Sequence, residues 1–158
     1  MIRAKIFLPG IDWTIYAYIA VHEYYTYEIL DRMRQIGASP HQLQMAHANL
    51  ISGQLNNGLT VSNPDTRKTV WVTCLTTSAR EFFNTIVHEI GHVGQHVGMQ
   101  LGLDPYGEDV CYLQGDIAFE LFPYCRELLC EHCRKENDGM REIINKVYKK
   151  SSCPQQQS

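Results

Sequence analysis

The stretch Asn84-Thr85-Ile86-Val87-His88-Glu89-Ile90-Gly91-His92-Val93-Gly94-Gln95-His96 decides how the rest of the chain is read. It contains an H-E-x-x-H pattern, His88 to His92, inside a run whose apolar residues recur at helical spacing. Residues i and i+4 of a helix stand one above the other on one face. His88 and His92 can therefore offer two imidazole nitrogens to a single metal ion. Two neutral nitrogens leave coordination positions for a carboxylate and a water, and Glu89 lies beside them as a base for that water.

The flanking residues predict that this helix is central to the fold. Ser78 followed by Glu81 makes a capping box. Phe82, Ile86, Ile90, Val93 and Val97 then form one apolar stripe. Counting about 100° per residue, Gly91, Gly94 and Gly98 form a second stripe, with His88 and His92 roughly opposite the apolar face. Each glycine costs a helix about 1 kcal/mol unless close packing requires it. The expectation is a buried helix with a neighbour pressed onto its glycines and no broad face left for water.

A third ligand has to come from elsewhere. His96 continues the i, i+4, i+8 series, but each turn advances about 5.4 Å, too far for one ion held between His88 and His92. The metzincin pattern would need a glycine at Gln95 and a histidine at Gly98. A carboxylate from a second helix is therefore expected. Asp104 and Pro105 suit a helix start, and Glu108, Tyr112, Gly115, Phe119 and Phe122 would share one face. On this reading Gly115 lets the second helix approach the glycines of the first. Glu108 is the expected third ligand, with Asp109, Asp116 and Glu120 pointing progressively away. Tyr112, one turn beyond Glu108, either orients a ligand or donates to an oxyanion, or else packs as an aromatic between the two helices.

A His-Glu-x-x-His helix followed by Glu108, Tyr112, Leu113 and Gly115 resembles the small zincin-type proteins encoded by phages and prophages. More broadly it is similar to gluzincin metallopeptidases. The resemblance spans about residues 78 to 122. It implies zinc at His88, His92 and Glu108, Glu89 as general base, and a peptide or protein substrate whose identity it does not supply.

The rest of the chain sets bounds. At 158 residues and 44 % hydrophobic content it reads as one domain, residues 1–150, with a disordered tail at 151–158. A net charge of −3 gives no electrostatic case for nucleic acid or an anionic membrane. The most apolar run, Trp13 to Val21, is far short of the ~20 residues of a membrane span. No secretory signal precedes it, so six cysteines point to a reducing cytoplasm and free thiols. Cys130-Glu131-His132-Cys133, with Cys125 and Cys153, is a weak candidate for a second zinc site, because one C-x-x-C lacks a matching half. His22, His41 and His47 read as surface or capped histidines.

In chain order, Ile2 to Leu8 alternates like a strand, Pro9-Gly10 turns it, and Trp13 to Ala20 reads as a core strand. A helix follows from His22 to Gly37, and Ser39 with Gln42 caps another that ends near Gly53. Leu59 to Ser62 and Lys68 to Leu75, joined by Asn63-Pro64-Asp65-Thr66, form an antiparallel hairpin leading into the histidine helix. Pro123 is expected to kink or break the second site helix, a helical pattern resumes at Tyr124 to Arg134, and Met140 to Lys150 forms a final amphipathic helix.

The expected fold is α+β, a small mostly antiparallel sheet packed on helices in a zincin-like arrangement. Leu59 to Asn63 would be an edge strand, either bordering the cleft and pairing with extended substrate or simply kept short against aggregation. The expected function is zinc-dependent peptide hydrolysis. Its rivals are a structural or regulatory zinc protein and a domain that binds other proteins without turnover.

Overall fold

The computed structural model describes residues 1–51, 58–74 and 76–130. Its strands are β1 (Ile2–Leu8), β2 (Trp13–Val21), β3 (Gly58–Asn63) and β4 (Lys68–Cys74), and its helices are α1 (Thr26–Gln35), α2 (Pro40–Ile51), α3 (Ala79–Leu101) and α4 (Glu108–Cys125). The expected class, α+β, is what these elements make. A 3-10 turn at Glu23–Tyr25 opens α1 later than the sequence suggests, and Gly37 (φ +85°) ends the segment in the left-handed conformation that glycine adopts without strain.

The strands form one sheet in the order β1-β2-β4-β3. The β3–β4 pair is the expected antiparallel hairpin, β1 and β2 also pair antiparallel, and β2 and β4 lie parallel, with α1 and α2 in the crossover between them. The two inner strands are buried on both faces, which is why Trp13 to Val21 and Lys68 to Cys74 read as nearly continuous apolar and β-branched runs.

One face of the sheet carries Ile15, Ala17, Ile19 and Trp71 and packs on Phe82, Ile86, Ile90, Val93 and Val97 of α3 and on Leu113, Ile117 and Leu121 of α4. The apolar stripe read from α3 is therefore its core face. Full burial of a side chain such as Phe82 contributes about 1.5–3 kcal/mol relative to exposure. The opposite face of the sheet, with Tyr18, Val61, Val70 and Val72, packs on Ile29, Leu30 and Met33 of α1 and on Ala46 and Leu50 of α2. The Ser39 box forms in both directions: Gln42 N donates to Ser39 Oγ at 3.2 Å and Ser39 N donates to Gln42 Oε1 at 2.8 Å. At Ser78 half the box forms. Its hydroxyl accepts from Glu81 N, while the Glu81 carboxylate takes the Thr77 hydroxyl instead.

Helix α4 departs from the sequence reading in three ways. It begins at Glu108 with Gly107 as N-cap, because Asp104 is used in a turn that accepts the Tyr106 N–H. It runs through Pro123 to Cys125 without ending at Phe122. Its buried side is Val110, Leu113, Ile117 and Leu121, so the face carrying Glu108, Tyr112, Gly115, Phe119 and Phe122 looks outward, with Tyr112 68 %, Phe119 77 % and Phe122 58 % exposed. Two candidate stripes competed on one helix, and the aliphatic one took the core while the aromatic one took the surface.

The close approach of α3 and α4 also uses other residues than expected. A Cβ on Gly94 would lie 2.6 Å from Gln114 Cγ, and one on Gly98 would lie 2.8 Å from Val110 Cγ2, whereas Gly91 and Gly115 face open space. The pairs 94/114 and 98/110 make the helices antiparallel. Helix α3 also keeps an exposed side, including Phe83, Val87 and His88, which the sequence reading did not leave it.

The loop at Asn56-Asn57, the cysteine motif beyond Cys130, the last amphipathic helix and the tail lie outside the described residues. Among the described residues Cys74, Cys111 and Cys125 are free thiols. No helix among them is long and apolar enough to cross a membrane.

Candidate metal and catalytic site

Helix α3 has three flanks: the sheet core, helix α4, and the β3 edge of the sheet. Counting about 100° per residue, Glu89 lies about 180° round the helix from Gly98 and meets β3 through Thr60, while His92 lies about 120° and the exposed His88 about 80° from Gly98. The sequence reading had placed the site between the two helices. The structure sets Glu89 against strand β3.

His88 and His92 meet as their spacing predicts. Their Nε2 atoms are 3.0 Å apart and their rings stand edge-on at 84°, with His88 exposed and His92 half-buried. Zinc bonded to two nitrogens at about 2.0–2.1 Å in a tetrahedron holds them about 3.3 Å apart, so a shift of a few tenths of an ångström fits the pair to such an ion. The donor chemistry and the spacing of these two residues suit a metal.

Glu89 is 3 % exposed, and its Oε2 accepts a hydrogen bond from Thr60 Oγ1 at 2.6 Å. The carboxylate reaches this position because residue 58 has no side chain: a Cβ there would lie 2.5 Å from Glu89 Oε1. The β3–β4 register sets Gly58 opposite Thr73 and Thr60 opposite Trp71, both buried on the central strand. The Thr73 hydroxyl and the Trp71 Nε1 are buried and have no hydrogen-bond partner among the described residues. The nearby Cys74 thiol is pushed up to about 12, by burial first and by the Glu89 charge second.

His96 lies farther along the same flank. Its ring is 6.1 Å from that of His92, and its Nδ1 is 3.0 Å from Ser62 Oγ, which in turn lies 2.8 Å from Thr69 Oγ1. Burial, and then the nearby His92, hold His96 below the usual histidine range. The sequence reading excluded His96 as a ligand but missed Thr60, Ser62 and Gly58. The alternation Gly58, Thr60, Ser62 is a period-2 small and polar face within β3, and it was the one signal available.

The structure does not bring Glu108 to the histidine pair. Val110 sits level with Gly98, six residues or about 9 Å along the axis from His92, and Glu108 lies farther still, exposed at the start of α4. Asp109, Asp116 and Glu120 are exposed on the same helix, and Tyr112 points outward, neither against a ligand nor packed between helices. Among the described residues no group of three His, Cys, Asp or Glu side chains is placed to hold a metal. His22, His41 and His47 are solvent-facing or half-buried, and His22 and His47 lean on Tyr25 and Tyr27. Comparison with protein-family models, curated proteins and solved structures finds no match for this chain.

Proposed function

We propose that the chain is a zinc-dependent hydrolase of peptide bonds, a cytoplasmic zincin-like metallopeptidase whose site lies on α3. The observation that carries this reading is the pairing of two converging Nε2 atoms, His88 and His92, with a carboxylate one residue away on the flank of α3 that faces a sheet edge. His88 and His92 would hold the ion, and the third ligand is sought outside the described residues. The chemistry that zinc supplies when bound is Lewis-acid activation of a water and of the scissile carbonyl. Glu89 accepts the proton of the attacking water and returns it to the leaving amine, a role worth about 10²–10⁴ in rate.

Strand β3 ends the sheet, and among the described residues nothing pairs with its outer edge. An extended peptide adding there as a further strand would run alongside the H-E-x-x-H flank, with main-chain hydrogen bonds supplying affinity. This makes the edge-strand role part of the same proposal.

One rival has an observation of its own. Glu89 is buried and bonded to Thr60, as a carboxylate tying α3 to β3 would be, and His88 and His92 would then bind zinc for stability alone. The experiment that separates the two is cleavage of broad peptide libraries, read by mass spectrometry, with wild type, Glu89→Gln and zinc-stripped protein in parallel. The peptidase reading expects cleavage by wild type only, with Glu89→Gln slower by at least about 10²-fold at unchanged zinc content. No cleavage by zinc-loaded wild type overturns it.

A further inference from the structure

We propose that Thr60 is a positioning residue for Glu89 and that Gly58 is the space this positioning requires, an inference that rests on the peptidase reading of the same site. A glutamate carboxylate turns easily about its last bond, because that torsion is broad and nearly two-fold. A general base is effective only when one oxygen is aimed at the proton it takes. Thr60 Oγ1 donates to Oε2 at 2.6 Å, which fixes one oxygen and so sets the direction of the other. Oε1 is left beside Gly58, on the edge strand of the sheet.

The donor is well supported. Thr60 lies within a strand whose partner β4 is in the sheet interior, and its register neighbour Trp71 is fully buried, so the hydroxyl is carried by rigid elements rather than by a loop. Gly58 contributes room and not torsional freedom, since its φ is outside the left-handed range. A Cβ there would lie 2.5–2.7 Å from three atoms of the Glu89 side chain. Both residues thus act on one carboxylate, the first by a bond and the second by the absence of a methyl group.

The test uses the full chain loaded with zinc and three variants: Thr60→Val, which keeps the shape and removes the donor, Thr60→Ser, which keeps the donor, and Gly58→Ala. Two properties are read. The first is the infrared carboxylate band of Glu89 in ¹³C-glutamate-labelled protein, identified by subtraction of Glu89→Gln. The second is kcat and KM on a cleaved library peptide. Thr60→Val should shift the band and lower kcat by about 10- to 100-fold with KM nearly constant, the scale expected when a reacting group is misplaced by about 1 Å. Thr60→Ser should restore both, and Gly58→Ala should shift the band and lower kcat with Thr60 intact.

An unmoved band in Thr60→Val overturns the inference whatever the activity, because the bond is then absent in solution. A shifted band with unchanged kcat also overturns it, leaving Thr60 as a tie between strand and helix. In both cases the peptidase reading survives. If wild type cleaves nothing, the peptidase reading fails and the positioning role falls with it.

Discussion

His88 and His92 hold their Nε2 atoms 3.0 Å apart on successive turns of α3, with the rings edge-on. At that distance the two ring nitrogens share a hydrogen bond, and an ion bonded to both would take its place. The wild-type protein should bind about one zinc per chain, and zinc should raise its melting temperature, because an ion that binds only the folded state stabilises it by mass action. His88→Ala and His92→Ala should each abolish both effects, measured by elemental analysis and thermal melts. Unchanged zinc content in both variants would move the metal elsewhere in the chain.

Glu108→Ala should keep its zinc. Its side chain stands at the exposed start of α4, which packs on α3 at Gly98 through Val110, more than about 9 Å along the axis from His92. Elemental analysis of Glu108→Ala beside Asp109→Ala and Asp116→Ala is expected to give the same content for all three. Loss confined to Glu108→Ala would show that α4 re-docks when metal binds, and that the ligand set implied by the family resemblance is correct.

The contrast between α3 and α4 shows what was legible in the sequence. Helix α3 has one regular apolar stripe, so Phe82, Ile86, Ile90, Val93 and Val97 could be assigned to the core by period alone. Helix α4 has two, Val110-Leu113-Ile117-Leu121 and Tyr112-Phe119-Phe122, and periodicity does not rank them. Placing the glycines of both helices in one contact favoured the wrong face, because Gly115 meets nothing and the room left by Gly98 is filled by Val110. The β3–β4 hairpin was readable from its turn residues, but the parallel β2–β4 pair joins strands far apart in sequence and leaves no local mark. Thr60 escaped notice for a related reason. Its partner Glu89 is 29 residues away, and only the register of β3 brings them together.

The buried cysteines give a prediction with a definite pH window. Burial pushes both the Cys74 and the Cys125 thiols up to about 12 from 9.0. The neutral form is thus favoured by the fold, and the unfolded chain loses these protons first. Their contribution to stability is complete below about pH 9 and is lost as pH rises from there toward about 12. At pH 8 the native protein should alkylate at exposed Cys111 well before Cys74 or Cys125, mapped by mass spectrometry after brief iodoacetamide treatment. Equal labelling of all three would mean that the core opens on the labelling timescale.

Glycines 91 and 98 lie seven residues apart in α3 and should respond to alanine in opposite directions. Both pay the entropy cost of glycine in a helix, so Ala is favoured by about 1 kcal/mol where it fits. At Gly91 a new Cβ meets nothing within 4 Å, and Gly91→Ala should be stabilising by up to that amount. At Gly98 the Cβ would lie 2.8 Å from Val110 Cγ2, a branched side chain held between two helices that cannot swing aside. Overpacking of that kind costs about 1–3 kcal/mol, more than the helix gains, so Gly98→Ala should lower stability. Denaturant unfolding of the two variants against wild type checks the pair. Stabilisation by both would mean that α4 stands farther from α3 in solution, and would remove the reason for separating Glu108 from the histidines.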